Sequence, residues 1–173
     1  MFKNSIRIKR MAGTAILVAL AVIFQLLSKV FVIGPFNINL AVVVIALAAI
    51  AYGPIEGAFV GLIDGIVVLM IDPTAAFFMG YNVFLTILLV LLKTTLAGGV
   101  SGLIFKLLKK YNIVVAIVVA SLLVPIVNSM TFGILTPMFF HDGVVVGFNK
   151  GNELNGLAST MRCVFALIYL NMI

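Results

Sequence analysis

Charged residues are scarce in this chain. Only 9% of its 173 residues are charged, whereas soluble domains carry about 25%. In their place, 64% of the residues are hydrophobic and the mean hydropathy is +1.34. This composition excludes an ordinary soluble domain and predicts an integral membrane protein. A membrane-spanning helix needs about 20 apolar residues, so about six or seven crossings fit at most. We expect a single domain over residues 1–173.

Chemically reactive side chains are equally few. The chain has one histidine, one cysteine and five acidic residues, and the acids are scattered, so no metal cluster and no internal disulfide is predicted. It also lacks a glycine-rich loop ending in Gly-Lys-Ser or Gly-Lys-Thr, the usual cradle for ATP phosphates. We therefore expect no enzyme, no cofactor and no metal.

The basic residues lie beside apolar runs and are not spread over a soluble face. They cluster at residues 3–10, before the first apolar run, and at residues 106–110, after the fourth. Such clusters are typical of the cytoplasmic ends of membrane helices. The net charge of +6 therefore does not indicate a nucleic-acid partner. We expect a cytoplasmic N-terminus and a first helix that is retained, because no convincing signal-peptide cleavage site is present.

The apolar runs predict an all-α integral membrane protein, a compact bundle of six transmembrane helices. The predicted spans are 11–33, 38–52, 55–71, 83–105, 112–136 and 154–173. The second run is too short to cross unaided, because 15 residues reach only about 22 Å. A short polar loop is expected at 72–82 and the longest connection at 137–153. The last run ends without a polar flank, which leaves open that the chain continues past Ile173.

Glycine recurs at every fourth position in the third predicted span. Gly53, Gly57, Gly61 and Gly65 would lie along one side of a helix, since residues four apart are neighbours on a helical surface. This pattern predicts a seam without side chains, against which another helix can pack closely.

Two charged residues lie deep inside consecutive predicted spans. Asp64 and Lys93 lie at comparable depths from the outer ends of consecutive helices. A charge at membrane depth costs about 2.5 to 3.5 kcal/mol on insertion scales. We therefore hypothesise that Asp64 and Lys93 interact or share one hydrated cavity.

Polar residues near the outer ends of the spans form a candidate substrate pocket. Four of them have an alternative interpretation: Tyr81 suits a membrane interface, Asn128 and Thr131 could satisfy the helix broken by Pro125, and Arg162 could meet a backbone carbonyl. The candidate substrate-binding residues are Tyr81, Asn82, Lys93, Asn128, Thr131, Asn152, Asn155 and Arg162.

The chain resembles the substrate-binding S components of energy-coupling factor (ECF) transporters, the bacterial vitamin importers. The resemblance rests on the segment AILVA at 15–19, the stretch YGPIEGAFVGLIDG at 52–65, and the overall size and topology. It implies a vitamin pocket near the outer face and a multi-pass location in the bacterial cytoplasmic membrane. It also implies that Ala15 and Ala19 dock a membrane-embedded coupling (T) component, which two cytoplasmic ATPases drive. The short last helix departs from the family pattern.

The sequence indicates the family more closely than it indicates the substrate. Amides, hydroxyls and one guanidinium suit a small, flexible ligand that bears a carboxylate, so pantothenate is the first candidate. A pyridoxine-like compound, a pyrimidine or folate is the alternative. Two other classes compete: a stand-alone transporter or channel, for which we find no internal repeat or polar stripe, and a scaffold subunit without a ligand.

Overall fold

The computed structural model describes residues 2–28, 32–33, 36–37 and 39–139. They form six helices and a short antiparallel hairpin. The elements are α1 (Phe2–Ser28), β1 (Val32–Ile33), β2 (Phe36–Asn37), α2 (Ala41–Ala51), α3 (Pro54–Ile71), α4 (Pro73–Met79), α5 (Val83–Leu108) and α6 (Ile113–Phe139). Within this part of the chain, α1, α3, α5 and α6 are long and apolar enough to cross a membrane.

Three of the predicted boundaries are wrong. The first helix ends at Ser28 and a hairpin follows it, whereas we expected a helix to residue 33. The second apolar helix covers Ala41–Ala51, not 38–52. Its 11 residues reach about 16 Å, so it cannot cross a bilayer by itself, as the sequence predicts. The expected loop at 72–82 contains the seven-residue helix α4.

The other predicted spans are either confirmed by the structure or lie outside the residues that it describes. The third and fourth spans are confirmed as α3 and α5, and the fifth continues as one helix through Pro125. The predicted sixth span, 154–173, and residues 140–153 of the long connection lie outside the described residues. The described chain is thus a helical membrane protein with four long spans and one short apolar helix.

The glycine seam of α3 packs against α5, as its spacing predicts. A β-carbon on Gly57 would stand 2.9 Å from the backbone oxygen of Gly98, and one on Gly65 would stand 2.5 Å from Thr94 Oγ1. Gly102 of α5 lies equally close to Pro54, where an added β-carbon would be 2.5 Å from its Cα. Small residues on both helices therefore allow their backbones to touch, which is how membrane helices gain contact without a hydrophobic driving force.

One end of the bundle gathers the start of α1, the α2–α3 turn and the end of α5. Arg10 forms an ion pair with Glu56 at 2.9 Å and donates a hydrogen bond to the carbonyl oxygen of Tyr52. Gly53, between α2 and α3, has φ +113°, a conformation that favours glycine. This packing is consistent with the prediction that the basic residues at 3–10 and 106–110 lie on the same side of the membrane. That this end faces the cytoplasm stays a prediction.

Candidate functional site

Asp64 is the most deeply buried acidic side chain of the described residues. It lies on α3 with 0% exposure, and its two carboxylate oxygens have no hydrogen-bond partner there. The adjacent glycines Gly61 and Gly65 bring α5 against this stretch of α3, so α5 covers Asp64 closely. A buried carboxylate without partners costs several kcal/mol, a cost that proteins tolerate mainly where the group has a function.

A narrow pocket adjoins Asp64 between four elements. The empty space totals about 180 Å³, but it is nowhere wide enough for a water molecule. Its lining residues come from the turn before α2 and from α2, α3, α5 and α6: Asn39, Val42, Ile45, Asp64, Thr94, Ala97, Val124 and Asn128.

The polar groups of this pocket supply both donors and acceptors. Thr94 donates its hydroxyl to the carbonyl oxygen of Val90 at 3.1 Å, which leaves the hydroxyl oxygen able to accept. Asn39 accepts from the backbone N–H of Ala41 through Oδ1 at 3.1 Å, and its amide nitrogen is a donor. Asn128 is buried on α6 with 3% exposure. Apolar side chains form the remaining walls, as in most small-molecule sites.

Lys93 lies in a separate environment. It is 8% exposed, and its Nζ stands 4.7 Å from the centre of the Phe132 ring. Phe132 in turn packs edge-on against Phe78 of α4, with ring centres 5.8 Å apart. Lys93 does not line the pocket around Asp64. A cation over an aromatic face is stabilised by the ring quadrupole. The Phe132 ring therefore offsets part of the free-energy cost of burying the Lys93 ammonium group.

The sequence predicts that Asp64 and Lys93 either interact or share one hydrated cavity, and the structure supports the first alternative only. Lys93 is attracted electrostatically by both Asp72 and Asp64, with the larger attraction from Asp72. No hydrogen bond joins Lys93 to Asp64, whose oxygens have no partner among the described residues. An interaction at a distance is therefore present, whereas a shared hydrated cavity is not found in this part of the chain.

The other predicted pocket residues are dispersed. Tyr81 and Asn82 are exposed, and Asn82 Oδ1 caps α5 by accepting from the Leu85 N–H at 3.2 Å. Neither of them lines the pocket around Asp64, and neither does the half-buried Thr131. The remaining three, Asn152, Asn155 and Arg162, lie outside the described residues.

Ala15 and Ala19 lie on the outer surface of α1. Ala15 and Ala19 are exposed, whereas Thr14, Leu17 and Ala21 are buried against the bundle. Both alanines are thus accessible on the described chain, and their role as a docking surface stays a prediction.

A comparison with protein families decides the identity of the chain. The family model described as "ECF transporter, substrate-specific component" matches residues 9–172. The chain belongs to this family. A search of curated proteins and a search of solved structures found no match.

The resemblance stated from the sequence is thereby confirmed for the ECF substrate-specific component. Components of this kind bind the substrate, are not catalytic, and work with a T component and ATPases in a membrane complex. Family membership and the four long apolar helices together show that the chain is a multi-pass membrane transport protein.

Sequence reasoning overlooked two lining residues of the Asp64 pocket, Asn39 and Thr94. Asn39 was assigned to the start of an apolar span, and Thr94 follows the more conspicuous Lys93. A usable signal existed for Thr94: Gly61 and Gly65 predict a close-packed partner helix, and a small polar residue on that helix would face Asp64.

Proposed function

We propose that this ECF substrate-specific component is the high-affinity vitamin-binding subunit of an ATP-driven importer. The observation that carries the proposal is the buried Asp64 carboxylate in a pocket of mixed amides, hydroxyl and apolar walls. Such a site suits ligand binding, and the described residues contain no group of metal-ligating side chains beside it. The family match supports the transport role.

The proposed architecture has six apolar segments in one domain, with the N-terminus in the bacterial cytoplasm; the short α2 would cross only with the help of its flanking residues. The support for a sixth span is the apolar run at 154–173. The support for the orientation is the basic residues at 3–10 and 106–110, whose two segments adjoin one end of the bundle.

The proposed partners are a T component and two ATPase subunits. We place the docking surface for the T component at Ala15 and Ala19, which are small and exposed. Small side chains let a partner helix approach closely in a membrane. ATP hydrolysis would then belong wholly to the partner subunits.

The substrate candidates differ in charge. Pantothenate is the first candidate, because Arg162 could hold its carboxylate and the amides at Asn152 and Asn155 could bind its polar chain. The Asp64 carboxylate would oppose an anion and favours the alternatives among pyridoxine-like compounds and pyrimidines. Folate is the largest of the candidates.

The proposal is tested by native mass spectrometry of the detergent-purified protein, followed by denaturation and identification of the released small molecule. A bound B vitamin is expected and would name the substrate. An empty protein whose unfolding temperature no B vitamin changes would favour a stand-alone transporter or a scaffold subunit.

A further inference from the structure

The pocket around Asp64 contains a carboxyl group that no described residue contacts through a hydrogen bond. Both carboxylate oxygens lack a hydrogen-bond partner there, although the side chain is fully buried. Lys93 is the nearest candidate counter-ion by sequence, but its ammonium group lies over Phe132 and is attracted more strongly by Asp72. A group from outside the described residues is therefore needed to satisfy Asp64 fully.

We infer that Asp64 binds the N–H edge of a basic, one-ring nitrogen compound, which makes an amino-substituted heterocycle the substrate class of this importer. This inference rests on the proposed vitamin-binding function. A carboxyl group can pair with the edge of an amino-substituted ring through two parallel hydrogen bonds: one oxygen accepts from the amino N–H, and the second oxygen shares one proton with the adjacent ring nitrogen, an arrangement that is both strong and directional.

The rest of the pocket matches such a ring better than it matches a bare metal ion. Asn39 and Asn128 contribute amide groups that both donate and accept, and Thr94 contributes an acceptor oxygen. A metal ion uses acceptors only. Four apolar residues, Val42, Ile45, Ala97 and Val124, complete the lining, and they can contact the two faces of a flat ring.

The pocket is closed as it stands, because none of its empty space is wide enough for a water molecule. A ring can therefore enter only if the helices that line the pocket move apart, and a single small ring requires less movement than a two-ring compound with a long tail.

The test is calorimetric titration of the full-length purified protein with defined probes. The probes are 4-amino-2-methylpyrimidine and pyridoxamine, which carry N–H donors, and pantothenate as the anionic comparator. The wild type should bind a donor probe in preference to pantothenate. Asp64→Asn should weaken that binding about 10- to 100-fold, the usual effect of losing a charge-assisted bond. Glu56→Gln, which removes the other acid of α3, should leave binding unchanged.

A second experiment varies the ligand and not the protein, so it does not depend on whether a variant folds. On the wild type, the N,N-dimethyl analogue of the aminopyrimidine lacks the exocyclic N–H donors and should bind at least about 10-fold more weakly. The circular-dichroism unfolding temperature of each variant without ligand shows whether it is folded.

The possible results separate this inference from the proposed function. Tight binding of pantothenate that Asp64→Asn leaves unchanged would overturn the inference and retain a vitamin-binding subunit. Stabilisation by NaCl alone, lost in Asp64→Asn, would replace the heterocycle with a metal-ion site. Failure of every B vitamin to bind would overturn both.

Discussion

Gly61 of α3 lies against the backbone carbonyl oxygen of Thr94 on α5. An added β-carbon on Gly61 would overlap that oxygen. This contact holds α3 and α5 at backbone distance one turn from Asp64, so the carboxylate is covered by α5 and not by lipid. The glycine seam therefore determines both the packing of the bundle and the location of its buried charge.

Adjacent glycines on α5 should respond differently to alanine. Gly98→Ala would drive a methyl group into the backbone of Gly57, whereas the same group on Gly99 would meet the Ala58 β-carbon at an ordinary 3.6 Å. We expect Gly98→Ala to lower the free energy of unfolding by about 1 to 3 kcal/mol, the usual cost of overpacking. Gly99→Ala should leave it unchanged or raise it by up to about 1 kcal/mol, because alanine favours a helix more than glycine does. Reversible unfolding in mixed detergent micelles measures both, and equal effects would contradict the close α3–α5 packing.

Lys93 should couple more strongly to Asp72 than to Asp64. Its electrostatic attraction is larger toward Asp72. In double-mutant cycles that combine Lys93→Met with Asp72→Asn or with Asp64→Asn, we expect interaction energies within about 0.5 to 3 kcal/mol, with the Asp72 cycle giving the larger value. Unfolding free energies of the single and double variants provide the measurement. The reverse order would indicate that Lys93 is the true counter-ion of Asp64.

Asp64→Asn should preserve the stability of the ligand-free protein. Its oxygens have no hydrogen-bond partner among the described residues, so the isosteric amide removes a buried charge without removing such a bond. We expect the free energy of unfolding to fall by less than about 1 kcal/mol or to rise. Thermal unfolding followed by circular dichroism tests this. A loss as large as that of Gly98→Ala would show that Asp64 has a structural partner.

A bulky residue on the exposed face of α1 should weaken docking of the T component and leave vitamin binding unchanged. Ala15→Trp or Ala19→Trp would hold a partner helix away, because close approach requires small side chains. We expect co-purification with the T component to fall about 10-fold or more, equivalent to at least 1.4 kcal/mol, while vitamin binding is unchanged. The matched control is Ile23→Trp, on an exposed position of α1 that is already large. Loss of vitamin binding in the alanine variants would instead assign these residues to internal packing.

The ion pair between Arg10 and Glu56 should contribute little. Its partners are 49% and 23% exposed, so water and salt screen the attraction. A double-mutant cycle with Arg10→Gln and Glu56→Gln should give about 0.2 to 1 kcal/mol, decreasing as salt is added. Lys9→Gln, at the neighbouring exposed position, is the control. A salt-independent coupling above about 2 kcal/mol would show that the pair is shielded in the membrane.

The class of the protein and its long helices were predictable because they depend on local properties. Apolar length alone specifies α3 and α5, and the four-residue spacing of Gly57, Gly61 and Gly65 specifies which face packs. The boundaries failed where tertiary contacts compete with hydropathy. The backbone N–H of Leu40 donates to Ser28 Oγ at 2.9 Å, a bond across 12 positions that no apolar pattern reveals.

The sequence by itself determined that the chain is an apolar helical bundle with few charges, because membrane burial of the backbone leaves few other solutions. It also indicated Asp64 and Lys93 as the charges that need an explanation. Only the tertiary structure separated them, placing Lys93 over Phe132 and Asp64 beside Asn39, Thr94 and Asn128. Depth along a helix follows from sequence, but the direction in which a side chain points between helices depends on how those helices cross.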